Sequence, residues 1–203
     1  MFEHLPASGH RRVPWRNGGG VTDEILVVPH PADPSRFAWR LSMAQVASAG
    51  PFSSFPGVDR TLLLVEGAGM ELRFGEGPWR VLDRCFAPIG FRGETPVDCR
   101  LIDGPVLDFN VMVDRAIGQA MVTVLEVGGA SRSALPEVAR GIWGDAAAIQ
   151  RAVVNLRGRI AVSHPEGAAV LERFDAFRWE GGQAVQIDQQ AASVAVVVDV
   201  VLR

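Results

Sequence analysis

The chain has 203 residues, 48% of them apolar, and a net charge of −3. That length admits one large domain or two small ones with a sizeable core. The interspersed charges disfavour a phosphate-neutralising nucleic-acid surface, and no uninterrupted apolar run of about 18 residues offers a membrane span.

Met1-Phe2-Glu3-His4 carries no basic segment followed by an apolar run, so no secretory signal is expected. Two cysteines, Cys85 and Cys99, then read as reduced thiols of a cytoplasmic protein. The first distinctive stretch is Trp15-Arg16-Asn17-Gly18-Gly19-Gly20-Val21-Thr22-Asp23-Glu24. Three glycines permit positive φ and close approach by another group. Here they bring an indole, a cation, an amide and a hydroxyl around bare backbone. The pattern reads as a turn feeding a strand; a phosphate loop would need a Gly-Lys-Ser/Thr ending.

Phe37 to Ala44 alternates as a strand, with Arg40 and Ser42 on one face and Leu41 and Met43 on the other. The polar face turns either into a core cavity or out to solvent. A Gly/Pro/Ser-rich segment, Gly50-Pro51-Phe52-Ser53-Ser54-Phe55-Pro56-Gly57-Val58-Asp59-Arg60, follows. Strands are expected at 61–65, 70–74, 106–113, 121–125, 152–156 and 194–200, separated by Gly and Pro clusters, which is an all-β pattern. In the third of these, Asp108, Asn110 and Met112 share a face, while Phe109, Val111 and Val113 fill the core. Pro136 to Ile149 is the main helical candidate, and Trp79 and Trp179 are placed at turns.

The two halves read as an internal duplication at an offset of 89 residues. Val81-Leu82-Asp83-Arg84 returns as Val170-Leu171-Glu172-Arg173, Gly69 falls on Gly158, Gly93 on Gly182, and Asn110 on Asp199. The same offset would set Ile149 against Arg60. The implied domains are residues 1–115 and 116–203, each a β-barrel able to enclose a small ligand.

Pro14-Trp15-Arg16-Asn17-Gly18-Gly19-Gly20-Val21-Thr22, Phe37 to Ala44, Gly50 to Arg60, Phe91-Arg92-Gly93 and Asp108 to Met112 resemble the HutD/Ves family of proteins associated with histidine utilisation. The resemblance implies a bicupin, two jelly-roll-like β-barrels in one chain. It also implies a role in histidine breakdown, through binding of an intermediate such as N-formylglutamate, and brings no established catalytic activity.

Metal-binding cupins use an H-x-H pair, a Glu and a further His, a donor set suited to divalent transition metals. His4, His10, His30 and His164 form no such pair and read as solvated loop residues. The position of the cupin glutamate, seven before Gly67, is held by Arg60. A guanidinium binds an anion, ideally through two parallel hydrogen bonds, where a carboxylate would bind a cation. Arg60 otherwise pairs with Asp59 or another carboxylate at the surface.

The expected site is therefore a metal-free, cofactor-free pocket in the N-terminal barrel only, lined by Arg60, Arg40, Ser42, Trp15, Asn17, Thr22, Phe55 and Asn110. Its ligand would be a small anionic metabolite; no nucleic acid or membrane partner is expected, and a homodimer is compatible with the pattern. The alternative is a cofactor-free acid/base isomerase or hydrolase using Glu24, Asp108 or Glu66. A third reading makes the chain an assembly module with a vestigial pocket.

Overall fold

β-Branched and apolar residues on alternating positions, cut by Gly and Pro turns, fold this chain into strands throughout its described length. The computed structural model describes residues 1–15, 18–127, 131–134 (backbone), 148–181 and 184–202. The helix expected from Pro136 lies outside the described residues as far as residue 147. Its last two positions, Ala148 and Ile149, instead open a strand.

Two compact units result, Arg11–Ala116 and a second that joins Met1–His10 to Ile117–Arg203. The first contains β2 (Arg11–Pro14), β3 (Gly20–His30), β4 (Asp33–Val46), β5 (Gly50–Pro51), β6 (Val58–Glu66), β7 (Met70–Phe74), β8 (Trp79–Leu82), β9 (Pro88–Arg92), β10 (Val97–Leu101) and β11 (Val106–Asp114). The second contains β1 (Phe2–Leu5), β12 (Gly118–Glu126), β13 (Ser131–Ala134), β14 (Ala148–Arg157), β15 (Ile160–His164), β16 (Gly167–Leu171), β17 (Ala176–Glu180), β18 (Gln186–Gln189) and β19 (Val194–Leu202). A division at residue 115 thus misplaces the first ten residues: β1 pairs antiparallel with β17, matching Phe2 to Trp179 and His4 to Phe177.

Each unit is two antiparallel sheets packed on one another, with no closed barrel among the described residues. In Arg11–Ala116 the larger sheet runs β2-β3-β4-β11-β6-β9 and the smaller β5-β10-β7-β8. Leu62 and Leu64 from the first meet Met70, Leu72 and Val97 from the second, all of them buried. Burying each such side chain contributes about 1.5–3 kcal/mol. Phe109, Val111 and Val113 are buried on the other face of β11. In the second unit β1-β17-β14-β19-β12 packs on β13-β18-β15-β16 through Val153, Ile160, Val162, Phe177 and Trp179. Trp179, expected at a turn, is a fully buried core residue of β17.

The units repeat one topology with an offset that drifts. β4-β11-β6-β9 corresponds to β12-β19-β14-β17, and β5-β10-β7-β8 to β13-β18-β15-β16. Both central strand pairs carry a bulge at the same place, between Leu107 and Asp108 opposite β6 and between Asn155 and Arg157 opposite β19. Counting from those bulges, Gly158 corresponds to Gly67, not Gly69. A Cβ on Gly67 would meet the Pro105 carbonyl and Val106, and one on Gly158 would meet Ser193 and the Ala192 carbonyl. By the same count Arg60 matches Arg151 rather than Ile149, Asn110 matches Val197, and Asp199 matches Met112. Leu82 and Leu171 keep the expected spacing, each opposite the first residue of its partner strand. Unequal turn lengths shift the register elsewhere. Gly182, set against Gly93, lies outside the described residues.

Candidate functional site

The site is built on the inward face of the larger sheet in Arg11–Ala116. Side chains alternate along a strand, so residues two apart share a face and cross-strand partners join them. Antiparallel register sets Ser42 beside Asn110, Ala44 beside Asp108, and Met112 between Arg40 and Arg60. The polar face of β4 therefore turns inward. A cavity of about 450 Å³ lies over it, lined by Arg40, Ser42, Ala44, Arg60, Asp108 and Asn110 from these strands.

The β2–β3 hairpin supplies one wall. Gly18 has φ of 70°, and the hairpin closes through Trp15 N–H to the Gly20 carbonyl at 3.0 Å. A Cβ on Gly20 would stand 2.4 Å from the Gln45 carbonyl oxygen and 3.0 Å from the Trp15 ring, so a bare backbone lets the indole lie down. The Trp15 Nε1–H then donates to Thr22 Oγ1 at 2.8 Å. Trp15 and Thr22 both line the cavity, with Val13, Pro14 and Glu24 beside them. Asn17 lies outside the described residues.

The opposite wall comes from the Gly50 to Gly57 segment. Phe55 N–H donates to the Gly93 carbonyl at 2.8 Å, and Gly93 N–H to the Val58 carbonyl at 2.7 Å. A Cβ on Gly93 would sit 2.5 Å from the Phe55 carbonyl, so this glycine is what lets the loop close. Pro51, Phe52, Ser53 and Phe55 thereby reach the cavity. Phe52, on the cavity, and Phe91, under the Arg60 guanidinium, are not among the residues expected from sequence, although Phe52 and Phe55, three apart in a Gly/Pro/Ser loop, are a readable signal of rings aimed at something other than a strand core.

Arg60 is 8% exposed. Its guanidinium lies 4.8 Å from the Phe91 ring centroid, 5.5 Å from Phe55 and 5.6 Å from Phe52. Desolvated cation–π contacts contribute about 2 kcal/mol or more each. Nη2 donates to Asn110 Oδ1 at 2.8 Å, and Asn110 Nδ2 donates onward to Asp108 Oδ1. The alternative, a surface pair with Asp59, is not formed: Asp59 accepts from Arg115 at 2.9 Å instead. Arg40 shares the Phe55 ring at 5.5 Å and touches Phe37 at 5.3 Å. Its Nη1 is 3.7 Å from Glu24 Oε1, and Glu24 is also held by Arg11. Among the described residues, Nε of both Arg40 and Arg60 is buried without a hydrogen-bond partner.

Burial governs the ionisation of the site. It pushes Arg60 down to about 10, against the opposing pull of Asp108, and lowers Arg40 as well. It pushes Asp108 up to about 7, with Arg60 and the Asn110 hydrogen bond acting against the rise. Cys99 is raised to about 12, by burial first and then by Asp108. Cys85 and Cys99 are free thiols. Glu66, the third acid/base candidate, is exposed at the end of β6 and does not line the cavity.

No cupin metal site fits these residues. Two guanidinium groups face the cavity, no histidine lines it, and the described residues hold no cluster of three or more His, Cys, Asp or Glu suited to a metal. Of the histidines expected as solvated loop residues, His4, His30 and His164 lie in strands instead, and His4 is exposed there. His4 Nε2 sits 3.2 Å from Asp175, His164 stacks on Phe2 at 4.3 Å, and the His30 side chain is 11% exposed at the end of β3.

The chain is 40% identical over 134 residues to Protein Ves of Cronobacter sakazakii, covering 64% of this chain and 71% of that one. It is 39% identical over 116 residues to a 21.2 kDa protein in the hutC 3′ region of Pseudomonas putida, and this match spans 55% of the chain and 58% of that protein's length. The structure of HutD from Pseudomonas fluorescens superposes with a TM-score of 0.80 at 26% identity, covering both chains fully. The bacterial pirin YhhW of Escherichia coli, a cupin-like protein, shares the fold at a TM-score of 0.64 and 10% identity, over 98% of each chain. The HutD family model matches residues 7–197, so this chain belongs to the HutD family.

Proposed function

We propose that the cavity of Arg11–Ala116 binds a small carboxylate-bearing metabolite of histidine utilisation, resembling N-formylglutamate, and that the protein serves that pathway as an accessory or regulatory binder. One observation carries the reading. Buried Arg60 and half-buried Arg40, each with a buried, unpartnered Nε among the described residues, flank an aromatic-walled cavity large enough for a small metabolite. Taking a guanidinium out of water costs several kcal/mol unless an anion and hydrogen bonds offset it. A ligand carboxylate would supply both, with the planar fork of Arg60 giving directional recognition.

The family and the naming of a relative by its place beside hutC support the pathway. The two-sheet units with cupin-like neighbours support a bicupin architecture. Calorimetry with N-formyl-L-glutamate and short mono- and dicarboxylates tests the reading. Saturable one-to-one binding supports it, and no binding of any of these acids contradicts it.

A second reading is favoured by Asp108, a fully buried carboxyl near neutrality beside a cation. Such a group suits acid/base chemistry at pH 7. Incubation of the same acids with the protein, followed by proton NMR for product, separates an enzyme from a binder.

A further inference from the structure

The two units carry the same cross-strand row with different charges. In Arg11–Ala116 the row runs Arg40 on β4, Met112 on β11, Arg60 on β6 and Phe91 on β9. Counted from the shared bulge, the matching row of the other unit runs Met121 on β12, Asp199 on β19, Arg151 on β14 and Trp179 on β17. Each row lays its arginine on the aromatic opposite it, Arg60 at 4.8 Å from Phe91 and Arg151 at 5.3 Å from Trp179.

The rows differ in how that arginine is neutralised. Asp199 Oδ1 accepts from Arg151 Nε at 2.5 Å, with both side chains 3% exposed. Facing Arg60 at the same position is Met112, fully buried and uncharged, whose Sδ lies 3.1 Å from Arg40 Nη2. Arg60 Nε, the atom corresponding to the one Asp199 satisfies, has no partner among the described residues. Asp108 does not fill this role, because it reaches Arg60 through the Asn110 amide and on the Nη2 side. One unit therefore supplies an internal carboxylate to its buried arginine, and the other leaves Arg60, which lines the cavity, with no carboxylate at that position.

We propose that Met112 is the specificity-determining residue of the pocket: an uncharged side chain, standing where the repeat places its own carboxylate, leaves the charge of Arg60 uncompensated there, to be met by the carboxylate of a ligand in the cavity. This rests on the anion-binding reading above and assigns the contact within it. The ligand carboxylate is to Arg60 what Asp199 is to Arg151. A carboxylate installed at position 112 would satisfy Arg60 from within and exclude the ligand.

Met112→Asp and Met112→Leu in the full chain test this, with N-formyl-L-glutamate and acetate as probes in calorimetry. Met112→Leu is expected to bind within about threefold of the unsubstituted protein. Met112→Asp is expected to lose at least about 100-fold, the scale on which a buried charge pair is made or broken, while melting as a folded protein. Met112→Asp binding the probes as tightly as the unsubstituted protein overturns the proposal and leaves the anion pocket standing. Absence of binding by the unsubstituted protein and by Met112→Leu overturns the pocket reading and this inference together. Should Met112→Asp fail to fold, methionine-methyl NMR of the unsubstituted protein decides. A shift of the Met112 methyl on addition of probe, with Met121 unmoved, supports the assignment, and binding that leaves Met112 unmoved overturns it.

Discussion

Asp108 is the residue whose chemistry the sequence conveys least. Its face is readable from alternation with Asn110, yet its complete burial comes from packing against β6 and the smaller sheet, which no local pattern records. The groups around it are Arg60, Asn110 and Cys99, and burial dominates, raising the carboxyl to about 7. In the unfolded chain it would titrate at an ordinary carboxylate value of about 4. The native state thus holds a proton that the unfolded chain releases. The resulting stabilisation is complete below about pH 4, declines as pH rises, and is gone once pH passes about 7. Urea midpoints measured from pH 4 to 8 should fall accordingly, and Asp108→Asn should flatten that slope. Anion affinity should follow the same carboxyl, weakening by up to about tenfold per pH unit above neutrality as Asp108 ionises. Asp108→Asn should make that affinity pH-independent, and an unchanged profile in the variant would clear Asp108 of the role. Arg60→Lys is expected to recover part of the affinity lost in Arg60→Ala, because a point charge keeps the attraction and loses the fork.

At the scale of elements, the β2–β3 hairpin and the Gly50 to Gly57 loop show how glycine positions aromatic walls. Gly20 is needed for space, since a methyl group would collide with the Gln45 carbonyl and the Trp15 ring. Gly20→Ala should destabilise the protein by roughly 2–4 kcal/mol and weaken ligand binding by displacing the indole. Gly18→Ala meets nothing within 4 Å, and its cost arises from φ of 70° alone, about 1 kcal/mol. Thermal melts of the two variants should rank them in that order. Equal losses would mean that close approach does not set the Trp15 wall. The glycine run was legible as a turn. Which glycine carries the steric demand was not, because that depends on β4 passing beside Gly20 at Val46.

Across the whole molecule, the strands were legible wherever β-branched residues cluster, as in β11 and β19, and the duplication was legible from Val81-Leu82 and Val170-Leu171. Its register was not. Turns of unequal length moved Arg60's counterpart to Arg151, and a constant offset cannot follow such shifts. The pairing of β1 with β17 was equally invisible, because partners more than 170 residues apart leave no local signature. Phe2 stacks on His164, and Asp175 holds His4 and the Ala7 N–H at 3.2 and 2.7 Å. Removal of residues 1–10 should therefore lower stability by roughly 2–3 kcal/mol through the lost burial of Phe2 and its neighbours. Hydrogen-exchange protection should drop at 176–179. Ligand affinity should hold, since every described cavity residue lies in Arg11–Ala116.

The account turns on Arg60 being an internal anion receptor. Calorimetric titration of N-formyl-L-glutamate into the unsubstituted protein and into folded Arg60→Ala tests it most directly. The expected result is saturable binding to the former, changing only modestly with added salt because the pair is buried, and a loss of about 2–5 kcal/mol in the variant. Equal affinity in the two proteins would contradict it.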